Sequence, residues 1–196
     1  MDSDHAAVCR GLNRALEASG LSQSAFAAAL GTSPSRLSTY RSGRTVPSAA
    51  FYLRAQRIGA ALGETLDNGW TTPPVVADAI TKALAEPDEI WAFKLVLQAR
   101  DHVHEALHTR PKLAGAWEAI PPSTDRPEWD VFLAAVMEHE FRSLSMEPPD
   151  WMQQAVLTED WILDSPLLDE EGVRRSTPSW LALRRVYVSS RDLTTV

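Results

Sequence analysis

The sequence predicts a mainly α protein in two parts, and three observations support this prediction. Apolar residues recur at helical spacing along most of the chain. Serine, glycine and proline stand where helices would begin and end. A β-strand is suggested only briefly, over residues 185–190. We therefore expect an N-terminal bundle of four or five helices and a helical C-terminal domain with at most one or two short strands.

The N-terminal domain is expected to cover residues 1–63. A first helix is predicted over Asp4–Ser19, with Gly20 as its stop. A later helix is predicted to begin after Ser48 and run to Leu62, with Gly63 ending it. Two short helices lie between them, so four helices are expected in this segment.

The two short helices are joined by a tight turn. Ser22 and Ser33 are good N-caps, because a serine hydroxyl can accept from a free amide of the first helical turn. Gly31 permits a sharp helix end, and Pro34 fits the first position of the second short helix. The outer face of that helix is short and polar, as suits a DNA major groove. It consists of Ser35, Arg36, Ser38, Thr39, Arg41 and Ser42.

On these residues, the segment from about Val8 to Leu62 resembles the Xre family of helix-turn-helix domains, the fold of phage repressors and Cro proteins. The matching positions are Leu16, Gly20 to Gln23, Phe26-Ala27, Leu30-Gly31, Ser33 to Tyr40, Ser42 to Arg44 and Pro47. The resemblance implies that Gln23 contacts a phosphate and braces the recognition helix. It also implies that bases are read from Ser33, Ser35, Ser38 and Thr39, while Arg41, Arg44 and Thr45 approach the DNA backbone.

Pro34 departs from the family pattern, because many members carry a polar and often base-reading residue there. We therefore expect Arg36 to take part of the reading. Arg54 and Arg57, outside the motif, are expected to be solvated or close to phosphates.

The distribution of charge is uneven along the chain. Residues 1–63 contain seven arginines and three acidic residues and carry +4, within a chain of net charge −7. The remainder therefore carries −11 and also holds all seven tryptophans. This asymmetry indicates a DNA-binding domain joined to an acidic domain that does not bind DNA.

The second domain is expected over residues 75–196, after a linker at residues 64–74. Asn-Gly and Pro-Pro interrupt regular structure in that linker. Beyond it, the spacing predicts helices at 74–85, 87–108, 111–120 and 128–146, followed by shorter pieces. The C-terminal third loosely resembles a module that follows Xre domains in actinobacterial regulators of toxin–antitoxin pairs. That resemblance favours a protein-binding role, and we also expect this domain to provide dimerisation.

Residues 104–108 spell HExxH on the predicted helix and suggest an alternative, a zinc metallopeptidase fused to a DNA-binding domain. His104 and His108 would be the paired ligands, with Glu138 or Glu140 as the third. The charged flanks and the missing preceding strand argue against this alternative. His104 and Leu107 also continue an apolar stripe with Ile90 and Phe93, which indicates a core histidine.

The sequence thus favours a sequence-specific DNA-binding transcriptional regulator that is not an enzyme. We expect a repressor that binds double-stranded DNA as a homodimer, or more narrowly an antitoxin that represses its own operon and binds a toxin. A protein-interaction module with a vestigial DNA-binding domain is a further alternative. No cofactor is expected. With no signal peptide, no membrane span and one cysteine, Cys9, a cytoplasmic, nucleoid-associated location is expected.

Overall fold

The computed structural model describes residues 3–153 and 156–194. The predicted mainly α class is confirmed, because helices dominate and the described strands are two residues long. The helices are α1 (Ser3–Ser19), α2 (Gln23–Ala29), α3 (Pro34–Arg41), α4 (Ala49–Asp67), α5 (Pro73–Ala85), α6 (Glu89–Thr109), α7 (Ala114–Trp117), α8 (Pro127–Ser143), α9 (Asp150–Gln153), α10 (Glu170–Ser176) and α11 (Ser179–Ala182). A single 3₁₀ turn at Pro111–Leu113 precedes α7, and the strands are β1 (Trp161–Ile162) and β2 (Val186–Tyr187).

The chain groups into two compact units. Unit 1 comprises Met1–Asp78 and Glu105–Pro122, and unit 2 comprises Ala79–His104 and Ser123–Val196. Unit 1 is therefore built from two separated stretches of sequence. No helix of the described residues is long and apolar enough to cross a membrane.

The centre of unit 1 is the crossing of α1 and α4. Two glycines of α4 allow the helices to approach this closely. A Cβ atom added to Gly59 would lie 2.3 Å from the carbonyl oxygen of Ala15. A Cβ atom added to Gly63 would lie 2.2 Å from the carbonyl oxygen of Ala18. The expectation that Gly63 ends the helix was wrong. The helix continues to Asp67, and Gly69, at φ +76°, follows its end. Residues 64–67 of the expected linker are therefore helical.

The segment 105–122 completes unit 1. Its Leu113 and Trp117 are almost fully buried. Gly115 lies against the side chains of Arg57 and Ala61 on α4. The backbone N–H of Ile120 donates to the carbonyl of Ala29, at the end of α2, over 3.0 Å. A carbonyl left open at the end of a helix is thus satisfied by a distant part of the chain.

Unit 2 is organised around α8. Residues 131–137 of this helix are buried without interruption, so α8 is a core helix. Trp161 of β1 packs edge-on against Trp129, with ring centroids 5.2 Å apart. The two strands pair in parallel, with Trp161 opposite Val186. The strand expected at 185–190 is thus observed over two residues, and α10 was not predicted.

The expected apolar stripe of α6 was also wrong in two places. The residue Ile90 is 72% exposed. His104, expected to be a core histidine, has a side chain that is 57% exposed. Helical spacing was correct for this segment, but it does not show which turns of a long helix are covered by neighbours.

Candidate nucleic-acid interface

The two short helices begin as their sequence predicts. The Ser22 hydroxyl accepts from the backbone N–H of Ala25 over 3.2 Å, and the Ser33 hydroxyl accepts from that of Arg36 over 3.1 Å. Between the helices, Gly31 adopts φ +66°, a left-handed conformation that glycine tolerates without strain. Pro34 occupies the first turn of α3, as expected. The helix–turn–helix geometry therefore follows from local signals.

The first turn of α3 is open to solvent. Ser33, Pro34, Ser35 and Arg36 are all exposed, whereas Leu37 is fully buried and anchors the helix. Ser38 and Thr39 are half-buried. The Arg36 side chain makes no hydrogen bond or ion pair with any residue that the structure describes, so its guanidinium is available to an external acceptor.

The loop after α3 is held by its own hydrogen bonds. The Thr39 carbonyl accepts from the backbone N–H groups of Arg44 and Thr45, over 3.0 and 3.3 Å. The Thr39 hydroxyl donates to the carbonyl of Arg36. The Arg44 Nε donates to the Ser42 hydroxyl over 3.2 Å. The exposed side chains of Arg44 and Thr45 therefore extend from an ordered turn beside α3.

Arg41 is held by residues from the two preceding helices. Its Nε donates to Asn13 Oδ1 on α1 over 2.7 Å, and its Nη1 donates to Gln23 Oε1 on α2. Gln23 Nε2 in turn donates to the carbonyl of Pro34 over 3.4 Å. The structure thus brings Gln23 and Arg41, both predicted to be near the DNA backbone, into direct contact. Asn13 was missed by the sequence analysis.

Arg57 differs from the other arginines of unit 1. Its guanidinium donates two hydrogen bonds to the carboxylate of Glu118, and this contact raises the pKa of Arg57. Arg57 is solvated, as one of the two expectations held, since its side chain is 53% exposed. Its positive charge is paired with an acidic side chain, so a role near a phosphate has no support. Arg54 is half-buried.

Three of the candidate ligands in the HExxH alternative have side-chain partners in the structure. Glu138 is bound by Arg142 and by the buried Arg184. Glu140 Oε1 lies 2.6 Å from His104 Nδ1, so this carboxylate contacts the histidine ring directly. Within residues 3–153 and 156–194, no group of three or more His, Cys, Asp or Glu side chains is placed to hold a metal ion. The geometry of these residues gives the metallopeptidase alternative no support.

Comparison with known families gives a match over the N-terminal part of the chain. Residues 11–68 match the family model of a helix-turn-helix domain. The matched stretch begins in α1, includes α2 and α3 and ends at Asn68, directly after α4. No curated protein and no solved structure matches the chain. The helix-turn-helix match supports DNA binding and a role in transcription regulation.

Proposed function

We propose that the protein is a sequence-specific transcriptional repressor of the Xre type, in which α3 enters the DNA major groove. The observation that carries the proposal is the exposed first turn of α3 within the segment that matches a helix-turn-helix domain. Short hydroxyls and an unpartnered arginine at that turn are suited to base edges and phosphates. The proposed base-reading residues are Ser33, Ser35, Arg36, Ser38 and Thr39. The proposed backbone contacts are Gln23, Arg41, Arg44 and Thr45.

The proposal assigns DNA binding to residues 1–63, with residues 64–74 as the connection to a domain of residues 75–196. That second domain would provide homodimerisation and a partner surface, apart from its segment 105–122, which packs within unit 1. Unit 2 contains ten basic and eighteen acidic residues, a composition that repels DNA and favours a basic protein partner. In the narrower version of the proposal, the protein is an antitoxin that represses its own operon and is associated with the nucleoid in the cytoplasm.

The test is selection of duplexes from a random DNA library with the full chain at low salt, followed by titration of the selected site. Arg41→Ala should weaken binding to selected and unrelated duplexes alike, because a phosphate contact carries no sequence information. Thr39→Ala should instead change the preference among sequences. If the unaltered chain enriches no sequence and binds no duplex at low salt, the proposal is wrong.

Repression and partner binding need their own measurements. A promoter that carries the selected site should be silenced by the protein in a reporter strain, and increased transcription would contradict repression. For the antitoxin version, the neighbouring gene should encode a growth inhibitor that forms a complex with the full chain. A neighbour without such activity would contradict that version while leaving DNA binding intact.

A further inference from the structure

We infer that Asn13 is a positioning residue for DNA binding, which fixes Arg41 and Gln23 as a prearranged site for one phosphate of the duplex. The inference rests on the DNA binding proposed above and extends it to α1, where the sequence indicated no DNA contact. It depends on three features: the orientation of the Arg41 guanidinium, the orientation of the Gln23 amide and the neutrality of Asn13.

The first feature is the guanidinium. A guanidinium is planar and its donors form a rigid fork, so two hydrogen bonds on different nitrogens fix its plane. Nε is held by Asn13 Oδ1 and Nη1 by Gln23 Oε1. Nη2 makes no bond to a residue that the structure describes. Arg41 is only half-buried, so this nitrogen keeps two N–H donors for an external acceptor.

The second feature is the Gln23 amide. Arginine can only donate, so its contact with Gln23 requires the amide oxygen on that side. The amide nitrogen must then face the other way, and it lies 3.4 Å from the carbonyl of Pro34 in the first turn of α3. That bond is long for an N–H···O contact, which leaves the NH₂ group able to serve an anion beside α3.

The third feature is the charge of the residue that holds Arg41. Asn13 supplies a neutral oxygen, so it orients the guanidinium and leaves its positive charge uncompensated. Arg57, in the same unit, shows the opposite arrangement, because the Glu118 carboxylate both orients and neutralises it. Arg41 can therefore bind an external anion, whereas the charge of Arg57 is already paired within the fold. The anion that a DNA duplex presents to such a site is the phosphodiester.

The test measures binding of the full chain to its selected duplex over a range of salt concentrations. Asn13→Ala should lower affinity about fivefold, the equivalent of roughly one ordinary hydrogen bond. Asn13→Asp keeps an acceptor for Arg41 Nε and therefore preserves the packing, but its carboxylate neutralises the guanidinium. It should lower affinity further and reduce the slope of log affinity against log salt by about 0.9, the value of one phosphate contact.

The decisive comparison is the double variant Asn13→Ala with Arg41→Ala. If Asn13 acts through Arg41, its substitution should have no further effect on affinity once Arg41 is gone. An equal loss in both backgrounds would overturn the inference, and so would an Asn13→Asp variant with unaltered binding. Melting temperatures confirm that each variant is folded during the titration. If the unaltered protein binds no duplex, the proposed function itself fails, and the inference falls with it.

Discussion

Arg57 on α4 and Glu118, just after α7, are joined by two hydrogen bonds, 2.7 Å from Nε to Oε1 and 2.6 Å from Nη2 to Oε2. Glu118 belongs to the second stretch of unit 1, which is separated from the first by residues 79–104 of unit 2. The pair therefore connects the helix-turn-helix segment to the part of its own unit that lies outside the family match.

We expect this pair to contribute little to stability and nothing to DNA binding. The two side chains are 53% and 32% exposed, so solvent screens their attraction. A double-mutant cycle of Arg57→Ala and Glu118→Ala in urea should give a coupling of about 0.2–1 kcal/mol. In DNA titrations, Arg57→Ala should match the unaltered protein, whereas Arg36→Ala should bind more weakly. Equal losses for both arginine variants would contradict this assignment.

Substitution of Gly63 by alanine should destabilise unit 1. The added Cβ would lie 2.2 Å from the carbonyl oxygen of Ala18, and this backbone atom can move only if α1 shifts. Overpacking of this kind costs about 1–3 kcal/mol, which outweighs the gain in helix propensity. Chemical denaturation measures the loss. Gly115→Ala is the matched control, since its nearest neighbour is the flexible Arg57 side chain at 3.2 Å. If the Gly115 variant loses as much stability as the Gly63 variant, the close helix crossing is not the cause.

Substitutions of Ser33 distinguish its contribution to the stability of α3 from its contribution to DNA binding. Ser33→Ala removes the acceptor of the Arg36 N–H and should cost about 1 kcal/mol. Ser33→Asp keeps an N-cap acceptor and should leave the melting temperature close to that of the unaltered protein. Its carboxylate would face DNA phosphates, however, so we expect this variant to bind duplex more weakly than Ser33→Ala. An aspartate variant that binds as well as the unaltered protein would place Ser33 away from the DNA.

The starts of α2, α3 and α4 could be predicted because their signals are local. Ser22, Ser33 and Ser48 each accept from a backbone N–H three residues further along the chain, as their spacing indicates. Gly63 could not be interpreted in the same way. A glycine near the end of an apolar stripe is compatible with a helix stop and also with a close helix crossing. Only the position of α1 decides between them.

The same limit applies to the candidate site. Its exposed residues could be selected from the pattern of α3, and their individual roles at DNA stay predictions. Asn13 could not be selected, because an asparagine inside a helix carries no sign of the residue that it will contact. Its partner Arg41 is distant in sequence and is brought near by the packing of α3 on α1. Long-range pairs of this kind become visible only in the folded structure.

The hydrogen bond from Ile120 to Ala29 has a consequence for the order in which the protein is made. The helix-turn-helix segment is synthesised before residue 120 and therefore emerges from the ribosome first. While α5 and α6 are synthesised, the Ala29 carbonyl at the end of α2 stays exposed to water. The surface that later buries Trp117 is exposed in the same way. Because domains fold as units, unit 1 completes its packing only after residue 122 has emerged. A nascent chain stalled before that point would present α3 on a unit that is not yet fully packed.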